Sequence, residues 1–255
     1  MRETPFFKYS FCGTALVDIG LSRRTNQDEV IVEPELGFYG VSDGMGGLAC
    51  GGKTSYMIKE TFPGMLQEAL DGLTKKITPS QAARILKEQV QKLSDSIYNT
   101  GNREGGVLFG ATFTGMWLVG TSVVFVNLGD SRGYILSRQK KYIRQITRDH
   151  NVATMLVEQG ELSRIQANGH PASATLTRFA GMRTPATPEV YIQEVEQGDR
   201  LLLCSDGLYG MVDDEQLPAL LRSSEEPRKV CQRLVNKANH CGGHDNIAVV
   251  YVKII

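Results

Sequence analysis

The chain has 255 residues, enough for one large domain with a sizeable core or for two small ones. Apolar residues make up 41% and charged residues 22%, ordinary values for a soluble protein, and Lys plus Arg equal Asp plus Glu at 28 each. That balance excludes the broad electrostatic footprint of a nucleic-acid or anionic-membrane binder, although single charges can still converge on a phosphate.

In chain order, the first twenty residues hold no apolar stretch with a cleavage pattern, so no secretion signal is expected. No apolar run approaches the roughly 20 residues that span a bilayer. Short β-branched and aromatic runs predict strands at Ala15–Ile19, Val30–Glu33 and Phe38–Ser42, followed by a helix over Lys53–Leu70 that Pro63 should interrupt. A cleaner helix is expected over Pro79–Asn99, with Thr78 as N-cap, Pro79 in the first position and one stripe from Ala82 to Ile97. Strands follow at Thr112–Val119, Ser122–Asn127 and Gly133–Leu136. Two short helices are expected within Asn151–Gly169, then an irregular stretch through Pro188. Strands at Val190–Val195, Arg200–Ser205 and Ile247–Val252 enclose a last helix near Glu226–Ala238. The runs TSVVFV and IAVVYV are apolar throughout, the pattern of strands buried on both faces. Strands in runs with helices inserted in pairs imply an α+β build: a two-sheet antiparallel sandwich with helices packed outside it. The five cysteines are scattered, without a C-x-x-C pair, and are expected as reduced thiols, most of them buried fillers.

The chemistry gathers on aspartates at strand ends. Asp43 ends GFYGVSD, Asp130 follows VVFVNLG, Asp206 follows RLLLCS, and Asp245 opens the last strand in GGHDNIAVVYV. Asp-Gly after a strand is commonly just a turn. Four such sites converging on one sheet end would repel one another without cations, and hard oxygen ligands suit Mg²⁺ or Mn²⁺. Upstream, DIGLSRRTNQDEV places Arg23, Asn26 and Asp28 at a turn before a strand, and such an arginine could bind phosphate in bidentate fashion.

The ordered motifs G-x-x-R-x-x-N-x-D (Gly20 to Asp28), D-G-M-G-G (Asp43 to Gly47), G-A-T (Gly110 to Thr112), G-D-S-R (Gly129 to Arg132), T-x-D-H (Thr147 to His150), S-D-G-L (Ser205 to Leu208) and G-x-D-N (Gly243 to Asn246) resemble the PPM-type, or type 2C, protein phosphatases in their compact bacterial form. The resemblance runs from about Gly13 to Val252. It implies one phosphatase domain over residues 1–255, an αββα sandwich with helices on both outer faces, and a helical flap at 151–188. It implies hydrolysis of phosphoserine and phosphothreonine by a hydroxide bridging two Mn²⁺ or Mg²⁺ ions, with a weaker third ion. Asp43 would bridge the pair, the Gly44 carbonyl would bind the second ion, and Asp206 and Asp245 would complete the first site. Asp130, with Asp206, would hold the third. Arg23 matches the phosphate-binding arginine, Asp28 a carboxylate that orients water, and Asn246 a residue steadying the last ligand. Thr112 and Ser131 match positions of structural role.

The sequence departs from the family's usual form at Leu48 and Gly52, where His and Glu are common, at Ala174 in place of Asn, and at Gln27 in place of an acidic residue, which implies a modest metal affinity. His150 and His244 are candidates for proton transfer but more often serve structurally. Cys204 and Ser205 have no evident base partner and are not expected as nucleophiles. The expected setting is a cytoplasmic monomer acting on phosphorylated proteins opposite a bacterial serine/threonine kinase, with no nucleic-acid or membrane partner. The alternative is a catalytically weak phosphoprotein-binding module of the same fold.

Overall fold

The computed structural model describes residues 2–45, 50–71, 77–104, 109–222 and 225–255. Alternating apolar runs give two five-stranded sheets, paired antiparallel throughout. One contains β1 (Phe11–Asp18), β6 (Arg132–Leu136), β7 (Arg144–Gln145), β9 (Arg200–Cys204) and β10 (Ile247–Ile254), in the order β1-β10-β9-β6-β7. The other runs β2-β3-β4-β5-β8, from β2 (Asp28–Glu33), β3 (Phe38–Asp43), β4 (Phe113–Val119), β5 (Ser122–Leu128) and β8 (Glu189–Glu194).

The two-residue period of a strand divides its side chains between two cores. Val250 and Val252 point inward with Leu201, Leu203, Tyr39, Val41, Met116 and Phe125, forming the interior of the sandwich. Val249 and Tyr251 face outward against Val230, Leu234 and Val235 of α7 (Pro227–His240) and against Leu217 and Leu221 of α6 (Leu217–Leu221). On the opposite face, α1 (Cys50–Leu70) and α2 (Pro79–Arg103) cover Phe113, Trp117, Val124 and Val126. The expected αββα layering is therefore present, and β5 is buried along its whole length as TSVVFV implied.

α2 begins as expected. Thr78 Oγ1 accepts from Gln81 N, and Gln81 Oε1 accepts from Thr78 N, a reciprocal capping box with Pro79 behind it. The expected break at Pro63 does not occur, because α1 continues through it. A proline inside a helix costs about 3 kcal/mol, whereas each fully buried large apolar side chain contributes roughly 1.5–3 kcal/mol. Ile58, Phe62 and Leu66 are all fully buried on the same stripe and outweigh it. β1 starts at Phe11, before the expected Ala15, because it pairs along its full length with β10. The short α5 (Asp206–Tyr209), α6 and β7 had no sequence signal. Only Cys204 and Cys231 are buried among the cysteines, all of them free, so most are not core fillers.

Between Asn151 and Pro188 lie α3 (Val152–Glu158), α4 (Arg164–Ala167) and a 3₁₀ turn at Pro171–Ala174, close to the expected pair of helices. Asn151 and Ser163 cap the two helices by accepting from Thr154 N and Gln166 N.

Candidate active site

Antiparallel pairing explains why distant aspartates meet. β2 starts where β3 ends, and β10 starts where β9 ends, so one pole of the sandwich collects Asp28, Asp43, Asp206 and Asp245, with Asp130 arriving from the end of β5. Asp28 and Asp43 are direct register partners. Asp28 and Asp206 both bear electrostatically on Asp43. Asp43, Asp130 and Asp206 are partly open to solvent, while Asp28 is only 3% exposed.

The electrostatics follow from that crowding. Burial, with repulsion from Asp206, pushes Asp28 up to about 7 despite the hydrogen bond from Ser205. Burial and the charges of Asp206 and Asp149 push Asp130 up to about 8. Asp43 and Asp206 are raised well above the usual carboxylate range, by burial first and by neighbouring aspartates second. Arg23, half exposed at the rim, donates through Nη2 to Asp245 Oδ2 at 2.6 Å, and that bond raises its own pKa further.

The backbone around the cluster is held tightly. Thr112 Oγ1 accepts from Asp43 N at 2.9 Å and lies 2.7 Å from Ser131 Oγ, so both residues have the expected structural role. Gly44 admits no side chain: a Cβ there would lie 2.3 Å from Gly51 O and 2.8 Å from Gln27 O. Asn246 ties three segments together, donating to Ile19 O and Thr25 O and accepting from Gln27 N, while its own N–H donates to Asp245 Oδ1 at 2.8 Å. Gln27 is thus anchored through its backbone; Gly52 lies in the first turns of α1 and Ala174 in the 3₁₀ turn, whereas Leu48, Gly46 and Gly47 lie outside the described residues.

His150 is a structural histidine. It is 2% exposed, its Nδ1 accepts from Gly129 N at 3.2 Å, and burial lowers its pKa to about 4. It therefore remains neutral and fixes the Gly129 turn, whose φ of +118° suits glycine, immediately before Asp130. His244 is exposed. Cys204 lies fully buried, its thiol raised by that burial, which removes it as a nucleophile.

Two features had no separate sequence signal. Arg132 forms an ion pair with Asp149 at 2.7 Å and stacks over the Tyr209 ring, 3.6 Å from its centroid, behind Asp130 and Asp206. Glu189, the first residue of β8, accepts from Arg148 just before the 151–188 segment, from Arg178 within it and from Tyr191 of β8 itself. Both lie on motif residues or beside them, but only the pairing shows their use.

The donors suit a hard divalent cation. Asp28 Oδ1 and Asp206 Oδ1 are buried without a hydrogen-bond partner, and every candidate ligand is oxygen. Among the described residues no three His, Cys, Asp or Glu side chains form a ready-made cage; Asp245 is turned onto Arg23. A cavity of about 540 Å³ lies at the opposite pole between Tyr9, Tyr142 and Arg144 and contains none of these carboxylates.

A sandwich that gathers carboxylates from both sheets beside a rim arginine defines the class: a metal-using hydrolase of phosphate esters. Residues 22–247 match the family described as Protein phosphatase 2C. The chain is 32% identical over 214 residues to the serine/threonine phosphatase stp of Listeria monocytogenes, covering 84% of this chain and 82% of the relative. It is 30% identical to the phosphatase PstP of Mycobacterium tuberculosis over 100% of this chain and 46% of that protein. Among solved structures, the S. agalactiae serine/threonine phosphatase superposes with a TM-score of 0.84 at 27% identity, over 96% of this chain and 100% of that one. The catalytic domain of PstP, solved in complex with two manganese ions, gives 0.79 at 28% identity, over 96% and 98%. The chain belongs to the protein phosphatase 2C family and is, by that membership, a phosphoprotein phosphatase.

Proposed function

We propose that this protein removes phosphate from phosphoserine and phosphothreonine in proteins, using two Mn²⁺ or Mg²⁺ ions, and that it opposes a bacterial serine/threonine kinase as a cytoplasmic monomer. The observation that carries the reading is the convergence of Asp28, Asp43, Asp130, Asp206 and Asp245 on one pole, with Arg23 at its rim. No helix among the described residues is long and apolar enough to cross a membrane.

In this reading Asp43, the Gly44 carbonyl, Asp206 and Asp245 hold the ion pair, and Asp130 with Asp206 holds a weaker third. When bound, the ions supply Lewis-acid charge and acidify water near neutral pH. Arg23 exchanges the Asp245 carboxylate for the substrate's phosphoryl oxygens and offsets their charge. Asp28 orients water and accepts its proton through Oδ1, the atom without a protein partner. Asn246 fixes Asp245 through the bond to Oδ1. Residues 151–188 act as a flap of a single domain over 1–255, and carry the exposed Met155 and Ile165.

Turnover of p-nitrophenyl phosphate and of a phosphothreonine peptide tests this with added Mn²⁺, added Mg²⁺ and chelator. Mn²⁺ should support turnover and chelator abolish it. Asp43→Asn and Asp206→Asn should lower kcat by about a thousandfold, roughly 4 kcal/mol, while Arg23→Ala should mainly raise KM. A metal-loaded wild type inactive on both substrates would overturn the reading.

A further inference from the structure

Ser205 is fully buried and occupies the N-cap position of α5, yet its side chain makes no cap. N-cap serines ordinarily accept from the second or third amide of their helix, a bond worth about 1 kcal/mol. This hydroxyl is used elsewhere. Ser205 Oγ accepts from Ala248 N at 2.9 Å and lies 2.6 Å from Asp28 Oδ2. A hydroxyl has one proton, and the amide can only donate, so the serine proton is directed at Asp28 Oδ2.

The consequence is geometric. Ala248 belongs to β10 and Asp28 to β2, so Ser205 joins the two sheets beside the aspartate cluster. The amide clamp fixes the hydroxyl, and the hydroxyl fixes one oxygen of Asp28. The other oxygen, Oδ1, is then left buried and without a hydrogen-bond partner. Asp28 takes its second local tie through its backbone, donating to Asn26 Oδ1 at 3.0 Å, which does not set the carboxylate plane.

We propose that Ser205 is a positioning residue for the metal site, giving up its helix cap to set the rotamer of Asp28 so that Oδ1 faces the ions and the water. The proposal rests on the reading of Asp28 given above. Residues that orient a metal site in this way typically change metal affinity or activity 10–100-fold when removed.

The test uses the full chain with Ser205→Ala, Ser205→Cys, Asp28→Asn and the Ser205→Ala/Asp28→Asn double variant. Cysteine fills a similar volume with a weak donor and remains measurable if the alanine variant folds poorly. Mn²⁺ affinity is read by titration calorimetry, independently of turnover, together with kcat and KM on p-nitrophenyl phosphate. Ser205→Ala and Ser205→Cys should weaken Mn²⁺ binding and lower kcat by about tenfold, with KM changed less than about twofold. In the Asp28→Asn background the alanine change should add less than about twofold, because the serine acts through that carboxylate. Wild-type affinity and kcat in the cysteine variant, or a further tenfold loss in the double variant, overturns the proposal. An inactive wild type that binds Mn²⁺ would overturn the phosphatase reading, while the affinity arm would still decide the role of Ser205.

Discussion

Two carboxylate centres of this protein have opposite electrostatic character. At the acidic pole, aspartates from both sheets crowd together with one half-exposed arginine, and the pKa values of Asp28, Asp43, Asp130 and Asp206 rise. At Glu189, a single carboxylate accepts from Arg148, Arg178 and Tyr191, and these donors lower it to about 2 against its own burial. The first region is unstable as it stands and becomes favourable when cations arrive. The second is satisfied by the chain alone and ties the 151–188 segment to the sandwich. The difference separates a site built to bind from a joint built to hold.

The largest effect expected from breaking this comparison is at Asp206. Besides losing turnover, Asp206→Asn should make the protein without metal more stable, since the wild type must protonate or crowd a buried carboxylate. Its folded pKa is raised, so the folded state binds more protons than the unfolded one above pH 4, and wild-type stability falls as pH rises. The thermal midpoint of the variant in chelator should exceed wild type by a margin that widens from pH 4 to pH 8. An equal or lower midpoint at pH 8 would remove the argument from self-repulsion.

Metal should reverse that loss in the wild type. At a hundredfold excess over Kd, an ion bound only by the folded state contributes about 2.7 kcal/mol, roughly 5–10 °C for a chain of this size. Because Asp28 and Asp130 retain protons up to about 7 and 8, Mn²⁺ must displace them at lower pH. The shift in midpoint should therefore be larger at pH 8 than at pH 6, and calorimetry in buffers of different ionisation heat should detect proton release near pH 6.5. A shift independent of pH would show that the cleft carboxylates are already ionised.

The smallest effect belongs to the joint. Glu189→Gln should cost about 1–2 kcal/mol by urea denaturation, since charge-assisted bonds are lost at a partly screened site, and should leave Mn²⁺ affinity within about twofold. The folded pKa of Glu189 is depressed, so its contribution is fully present above about 4.5 and disappears as pH falls through about 2. The gap between variant and wild type should stay flat from pH 5 to pH 8, where the Asp206 gap changes. A Glu189 gap that grows with pH would merge the two centres into one network.

Much of the acidic pole was legible because each aspartate sits beside a strand end with small or turn residues around it, and the order of motifs carries the family. Less legible were the groups whose meaning depends on a partner far along the chain. Ser205 is a letter of the S-D-G-L motif with no evident base partner in the sequence, and the carboxylate it meets, Asp28, lies 177 residues away. Glu189 was one more charge at the start of a strand, and Arg132 and Asp149 were motif letters until their pairing was seen. Pro63 misled for a related reason: its local cost is fixed by geometry, but the packing that exceeds it comes from another layer.

Periodicity, capping and turn chemistry are local, so the sequence by itself determined the longer strands, though not β7 or the start of β1, together with the capped start at Thr78, the layered α+β build and the residues able to bind cations and phosphate. Which carboxylates touch, which proton each hydroxyl directs and which face of the cleft is unsatisfied are properties of contacts between two sheets. Only the tertiary structure decided those, because desolvation and repulsion between charges exist only after the chain has brought them together.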